Sequence, residues 1–471
     1  MGTQVINPAT EALLLDLEDY SAEDVDRIIS RARAVYDSGV WSAQSVAARQ
    51  TVLHQIADMV DAHVAELAQL ETSNVGLPIS QTSGMHVSRA ALNFRFFSDY
   101  IGQAEGQLYE QNPDYLTMVT RHSVGVAALI APWNAPLALG AMKIAAAIAF
   151  GNSAVIKPSE QAPLTLTRFV ELLGKTDLPK DVVQIVNGRG STTGAALVSH
   201  PGVDRISFTG GTETGRVIMG AAAQTLTPVT MELGGKSANI IFADCDFDRA
   251  LDGALASIYA GNGQQCLAGS RILVEESIAP RFIDAFVARA ANIKVGDPML
   301  KDTQMGPVAS KAQYVRIQDY LQSALSDGAK HLTGGARPDG LDQGYYLSPV
   351  AIQTDDPGAR ICQEEVFGPF ATLLTFKSEE EAYQIANNTT FGLVSYVWSQ
   401  DLGRIMRAQN ALASGVVWVN TPMTRELRAP FGGIKESGIG AEGGHACAAF
   451  YAQQKTVTIP LTDVPLPKLG A

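Results

Sequence analysis

Residues 124–156 read VGVAALIAPWNAPLALGAMKIAAAIAFGNSAVI, and this stretch decides the fold. The first seven residues, 124–130, form a short apolar run of the length that makes a buried strand. Pro132-Trp133-Asn134-Ala135-Pro136 breaks the run, residues 137–150 carry a helical pattern, and 154–156 make a second short apolar run. Working outward, 164–173 reads as a helix, 182–186 as a strand, 192–198 as a helix and 205–208 as a strand, and the turn 210–215 opens another helix. Strands that alternate with helices predict a parallel sheet covered on both faces. A second series follows, with strands at 238–242 and 272–274, helices at 247–259 and 280–291, and further strands at 396–398 and 416–419. Upstream, residues 21–70 are helical, with Val25, Ile28, Ile29, Ala32 and Val35 at three- and four-residue spacing and Ser21 with Asp24 resembling a capping box. The tail, 455–461, alternates like a strand, and an isolated terminal strand pairs with something, a neighbouring subunit included. The fold class is α/β.

A chain of 471 residues exceeds what one core supports, so two large domains are expected. A net charge of -13 repels nucleic acid and anionic membranes, which leaves small-molecule chemistry. Cys245, Cys266, Cys362 and Cys447 are too sparse for a disulfide framework, and no histidine sits near them at zinc spacing, so no metal is expected. The start, Met-Gly-Thr-Gln-Val-Ile-Asn-Pro, lacks the features of a secretion signal, and the apolar stretch 144–150 is too short to span a bilayer. A cytoplasmic protein is the expectation.

Four constellations can carry chemistry, and each has a plainer reading beside it. Gly263-Gln264-Gln265-Cys266 places a cysteine among small residues, at what could be a helix start, where a thiol pKa can fall; the plainer reading is a buried structural thiol. Glu232-Leu233-Gly234-Gly235-Lys236 offers a carboxylate whose apolar surround can raise its pKa for general-base work, or else a turn residue before the next strand. Pro132-Trp133-Asn134 lies at the carboxyl end of a strand, where ligands bind and an Asn amide can donate to an oxyanion; ordinary turn chemistry is the rival. Phe208-Thr209-Gly210-Gly211-Thr212-Glu213-Thr214-Gly215 follows a strand and opens a helix, so its amides could meet a phosphate, though it is not the Gly-x-Gly-x-x-Gly fingerprint.

Taken together, in order and with Glu232 and Cys266 separated by 34 positions, these motifs resemble the aldehyde dehydrogenase superfamily over nearly the whole chain. Lys157-Pro158-Ser159-Glu160, Glu365-Val366-Phe367-Gly368-Pro369 and Pro430-Phe431-Gly432-Gly433-Ile434-Lys435 complete the set. The resemblance implies a Rossmann-like parallel-sheet cofactor domain, a second α/β catalytic domain and a small β oligomerisation element. It implies that Cys266 attacks an aldehyde, that the Asn134 amide and the Cys266 N–H hold the oxyanion, and that Glu232 activates water to hydrolyse a thioester. Lys157 and Glu160 would hold the adenosine ribose, and a carboxylate at 160 favours NAD over NADP. Glu365 would hold the nicotinamide ribose, Phe367 and Leu233 would pack nearby, and Trp133, Gly210, Gly211 and Gly215 would lie towards the pyrophosphate. Gly211 stands where many members carry Ser. Lys143 and Glu442 occupy positions tied to a proton path in relatives.

The implied cofactor domain is 1–104 with 124–233, the catalytic domain is 234–434, residues 435–454 return to the cofactor domain, and 105–123 with 455–471 form the element that makes a homodimer or homotetramer. The family's extra N-terminal strands look absent. Thr424-Arg425-Glu426-Leu427-Arg428 is similar to a segment of muconic semialdehyde dehydrogenases whose arginines bind a substrate carboxylate, with Arg89 as the second such arginine. A carboxylated semialdehyde is therefore the first substrate expectation. Three other readings remain open: a bulky apolar terpenoid or aromatic aldehyde, with Arg425 in a structural ion pair, for instance with Glu426 or across a subunit interface; a CoA-acylating dehydrogenase; and a non-catalytic structural relative.

Overall fold

The computed structural model describes residues 2–110 and 112–470. The strand Val126–Ile130 sits inside a six-stranded sheet, between Ser153–Lys157 and Arg205–Thr209. Val183–Ile185 closes one side of this sheet, and Val229–Glu232 followed by Gly438–Ile439 closes the other. The neighbouring strands run parallel except at Gly438–Ile439, which is antiparallel to Val229–Glu232. Alternation along one strand feeds two layers, as the pleat requires. Ala127 and Leu129 pack with the helices Val46–Ala62, Ser88–Ile101, Pro136–Ala149 and Leu164–Leu173, whereas Val126 and Ala128 pack with Ala22–Asp37 and Thr212–Thr225. In Pro136–Ala149 every residue but Leu139 is buried, which explains its run of small apolar side chains.

The second sheet has seven strands, in the order Lys330–Thr333, Val350–Gln353, Phe370–Phe376, Arg271–Glu275, Ala238–Ile241, Val394–Trp398 and Val416–Val419. Only Lys330–Thr333 is antiparallel to its neighbour. Phe247–Tyr259 and Ala279–Ala291 cover one face, and Lys311–Ser326 and Glu379–Asn387 the other. A third sheet joins Gln107–Tyr109, Tyr115–Ser123 and Ala452–Pro460.

The predicted capping box is present: the Ser21 hydroxyl accepts from the Asp24 N–H, and the Asp24 carboxylate accepts from the Ser21 N–H. Three expectations need correction. The tail strand pairs along its whole length with Tyr115–Ser123 of its own chain. The region read as a helix over 192–198 is a wide turn, Gly190–Gly194, before a short helix, Ala195–Val198. A hairpin not read from the sequence precedes the first helix, Thr3–Ile6 pairing with Leu13–Leu17; it is mostly exposed, so no clean alternation marks it. Cys266 does not begin a helix: it follows the tight turn Ala260–Gly263, in which Gly261 and Asn262 are left-handed. No described helix is long and apolar enough to cross a membrane.

Candidate active site

A cavity of about 640 Å³ opens between the two large sheets, at the carboxyl ends of the six-stranded sheet, where ligands bind in open α/β folds. Of the residues singled out from sequence, Trp133, Asn134, Lys157, Glu160, Gly210, Gly211, Glu232, Leu233, Cys266, Glu365 and Phe367 line it. Gly215 does not. A Cβ there would meet Leu233 Cδ2 at 2.8 Å, so its smallness serves helix packing under Leu233.

Cys266 and Glu232 meet because the backbones carrying them pack without side chains between. A Cβ on Gly235 would fall 2.4 Å from the Cys266 carbonyl oxygen, and one on Gly234 would fall 2.5 Å from Glu365 Oε2. The glycines after Glu232 therefore admit the nucleophile loop and the Glu365 carboxylate. Gly235 N–H donates to Glu365 Oε1 at 2.9 Å. The Tyr396 hydroxyl donates to the Leu267 carbonyl at 2.7 Å and steadies the nucleophile loop from the second sheet. Asn134 Nδ2 donates to the Gln264 carbonyl at 2.8 Å, so the amide already points at the turn that holds Cys266.

The electrostatics depart from expectation at the thiol. Protein atoms crowd the sulfur, and desolvation, followed by the carboxylates of Glu365 and Glu232, pushes the Cys266 thiol up to about 12, where a lowered value was expected. The helix start that would have lowered it is absent. Glu232 moves as expected. Both of its carboxylate oxygens are buried without a partner, and desolvation and then Glu442 hold it well above the usual carboxylate range. Desolvation also lifts Glu365 to about 7.

Around the cavity wall, Lys157 Nζ lies 3.6 Å from Glu160 Oε2, and Trp133 packs edge-on to Phe367 with centroids 5.1 Å apart. Phe367 is left-handed at φ 60°, held by Gln313 Nε2, which donates to the Val366 and Phe367 carbonyls. Arg316 donates to the Glu365 carbonyl at 2.6 Å. Gln313 and Arg316 both line the cavity, and no sequence motif marks them; their only trace is polarity three residues apart on the helix Lys311–Ser326.

Lys143, Glu442 and Arg425 lie outside the cavity wall but within electrostatic reach of Glu232, and Arg89 lies within reach of Arg425 and Glu442. Lys143 Nζ donates to Glu442 Oε1 at 2.6 Å and to Ser207 Oγ at 2.8 Å, all buried, so Lys143 is ion-paired rather than solvated. The Arg425 guanidinium stacks 4.3 Å from the Phe431 ring centre, and its Nε and one terminal nitrogen are buried without partners. Glu426 pairs with Arg428 and not with Arg425. Burial and then the charge of Arg425 lower Arg89 to about 10, which puts the two guanidinium groups within electrostatic reach.

Residues 2–457 match the model of the aldehyde dehydrogenase family. The chain is 40% identical over 443 residues to 5-carboxymethyl-2-hydroxymuconate semialdehyde dehydrogenase of Escherichia coli, covering 93% of each. It is 41% identical to the chloroplastic betaine aldehyde dehydrogenase of Beta vulgaris, covering 98% of this chain and 93% of that protein. The crystal structure of betaine aldehyde dehydrogenase from Staphylococcus aureus in complex with NAD+ superposes with a TM-score of 0.96 at 38% identity, over 100% of this chain and 93% of that one.

Proposed function

The chain belongs to the aldehyde dehydrogenase family, and from that premise we propose that it oxidises a carboxylated semialdehyde to the acid with NAD, through a thioester on Cys266. The observation that carries the reading is the meeting of Cys266, Glu232 and Asn134 around one cavity whose far wall holds Lys157, Glu160, Gly210 and Gly211.

The cavity suits a dinucleotide. The helix Thr212–Thr225 has Gly211 as its cap residue with no side chain on its free N–H groups, which leaves them for a phosphate. Lys157 and Glu160 offer a donor and an acceptor to a ribose diol, and the carboxylate disfavours a 2′-phosphate. Glu365 offers a second acceptor beside Cys266. When bound, NAD accepts the hydride released at the aldehyde carbon.

The chain's own residues do the rest. Cys266 attacks the carbonyl as the thiolate, its proton leaving to solvent through the cavity it lines, which keeps the Glu232 carboxylate for the hydrolytic step. The sulfur bonds to the carbonyl carbon, and the oxyanion takes donors from Asn134 Nδ2, released from Gln264, and from the Cys266 N–H. After oxidation to the thioester, Glu232 takes a proton from water, whose oxygen displaces the Cys266 sulfur and frees the acid. Glu232→Gln tests this step. It should release one NADH per site in a burst and then stall with an acyl group on Cys266, detectable by mass. Steady turnover, or release of an acyl-CoA when CoA is supplied, refutes the hydrolytic reading.

The substrate assignment rests on Arg89 and Arg425. Two guanidinium groups close together, one with unpartnered buried nitrogens, favour an anion, and a substrate carboxylate supplies one. Arg425→Ala should cut kcat/KM for a carboxylated semialdehyde by about 10- to 100-fold, the worth of a charged hydrogen bond, and spare an uncharged aldehyde. Equal effects on both substrates refute the clamp and favour a bulky apolar aldehyde.

A further inference from the structure

Three loops carry the proposed chemistry: Pro132–Asn134 with the oxyanion donor, Lys157–Glu160 with the ribose ligands, and Gln264–Cys266 with the nucleophile. Two of these loops run into helices that lack a cap of their own. Pro136–Ala149 is preceded by Ala135, and Leu164–Leu173 by Pro163, and neither residue makes a side-chain cap bond. An uncapped helix start leaves N–H groups without partners, which is costly where no water reaches.

Both caps come from one helix, Val64–Val75, which contributes no residue to the cavity wall. Glu71 Oε2 accepts from the Leu137 N–H at 3.2 Å, three residues past Asn134. Asn74 Oδ1 accepts from the Leu164 N–H at 3.1 Å, and Asn74 Nδ2 donates to the Gln161 carbonyl at 2.9 Å, next to Glu160. Residues 71 and 74 stand three apart and so share a helix face. Both are buried. Just beyond the helix, the Gly76 carbonyl accepts from Asn262 Nδ2 at 2.9 Å, in the turn that leads to Cys266. Glu71 Oε1 also meets His86 Nδ1 at 2.8 Å, three residues before Arg89.

We propose that the last turn of Val64–Val75 is a positioning clamp, in which Glu71 sets the oxyanion loop and Asn74 sets the ribose loop. A carboxylate at the start of Pro136–Ala149 also opposes the positive end of that helix's dipole, so Glu71 suits the place better than a neutral residue. Neither residue meets substrate or cofactor. Each holds a loop whose displacement by an ångström is enough to cost about 100-fold in rate.

The clamp rests on the roles proposed for Asn134, Lys157 and Glu160, and it separates two kinetic quantities that a merely structural helix would move together. Glu71→Ala should lower kcat/KM for the aldehyde at saturating NAD at least tenfold, with KM for NAD within twofold of wild type. Glu71→Gln keeps an acceptor oxygen and should recover most of that loss. Asn74→Ala should raise KM for NAD at least fivefold and leave kcat/KM for the aldehyde at saturating NAD within twofold. If Glu71→Ala does not fold, the Asn74→Ala profile alone decides. The same loss in both quantities for the Asn74 variant, or wild-type kinetics in it, overturns the clamp. Asn134→Ala keeps the two hypotheses apart: if it is fully active the oxyanion reading fails, and if it is impaired while the Glu71 and Asn74 variants are not, only the clamp fails.

Discussion

Lys236 holds an ammonium group where nothing receives it. Its Nζ is buried without a partner, and burial lowers the group from its ordinary 10.5 to about 8. A lysine depressed in this way contributes its full stability above 10.5 and loses it as the pH falls through about 8, because protonation is cheaper in the unfolded chain. Lys236→Met should therefore stabilise the protein at pH 7, by an amount on the order of 3 kcal/mol, and the gain should shrink as pH approaches 10.5. Urea midpoints of the two proteins across that range check it, and a gain independent of pH would show that the charge is not the cause. At this scale the sequence was uneven. Cys266, Glu232 and Asn134 were legible because each sits in a motif of fixed local spacing. Glu71 and Asn74 were not, because a three-and-four periodicity announces only a helix, and their partners lie 66 and 90 residues away. The rise of the Cys266 thiol is not legible in the sequence, because local spacing does not show that burial, and no helix start, surrounds it.

The loops that form the cavity wall pack backbone on backbone, and Gly263 is their closest point. It is left-handed at φ 68°, and a Cβ on it would lie 2.3 Å from the carbonyl carbon and oxygen of Gly368. Gly263→Ala carries a cost of about 1–2 kcal/mol from the backbone conformation alone, and the clash must also part the nucleophile loop from the Glu365–Pro369 loop. The variant should unfold at a lower temperature and lose most aldehyde oxidation, whereas Gly211→Ala, with open space around its Cβ, should unfold as wild type does. Equal stability of the two would contradict the packing described. Elements whose apolar side chains face a core are legible almost to the residue, as at Leu164–Leu173, Phe247–Tyr259 and Val416–Val419, because burial imposes an apolar pattern. The exposed hairpin at Thr3–Ile6 and the wide turn at Gly190–Gly194 carry no such imprint.

Across the whole molecule, the three-stranded sheet stands apart from both cores and ends in two unpaired edges, Gln107–Tyr109 and Ala452–Pro460. Leu108, Tyr109, Ile459 and Leu461 are exposed along it. Bare edges with apolar side chains invite a second copy, consistent with the homodimer or homotetramer expected for the chain. Leu108→Lys with Ile459→Lys should shift the protein to smaller assemblies in sedimentation, and an unchanged distribution would place the subunit contact elsewhere. The strand Val229–Glu232, which ends in Glu232, has a different history. Its outer neighbour, Gly438–Ile439, comes from far along the chain, and Lys143 meets Glu442 across 299 residues. On the ribosome the edge beside Glu232 stays open until Gly438–Ile439 has emerged, long after Cys266 has been made. Order of synthesis thus delays the reaction: a nascent chain can hold its nucleophile and most of its cofactor sheet, yet the base gains its final surroundings only when residues 438–442 follow.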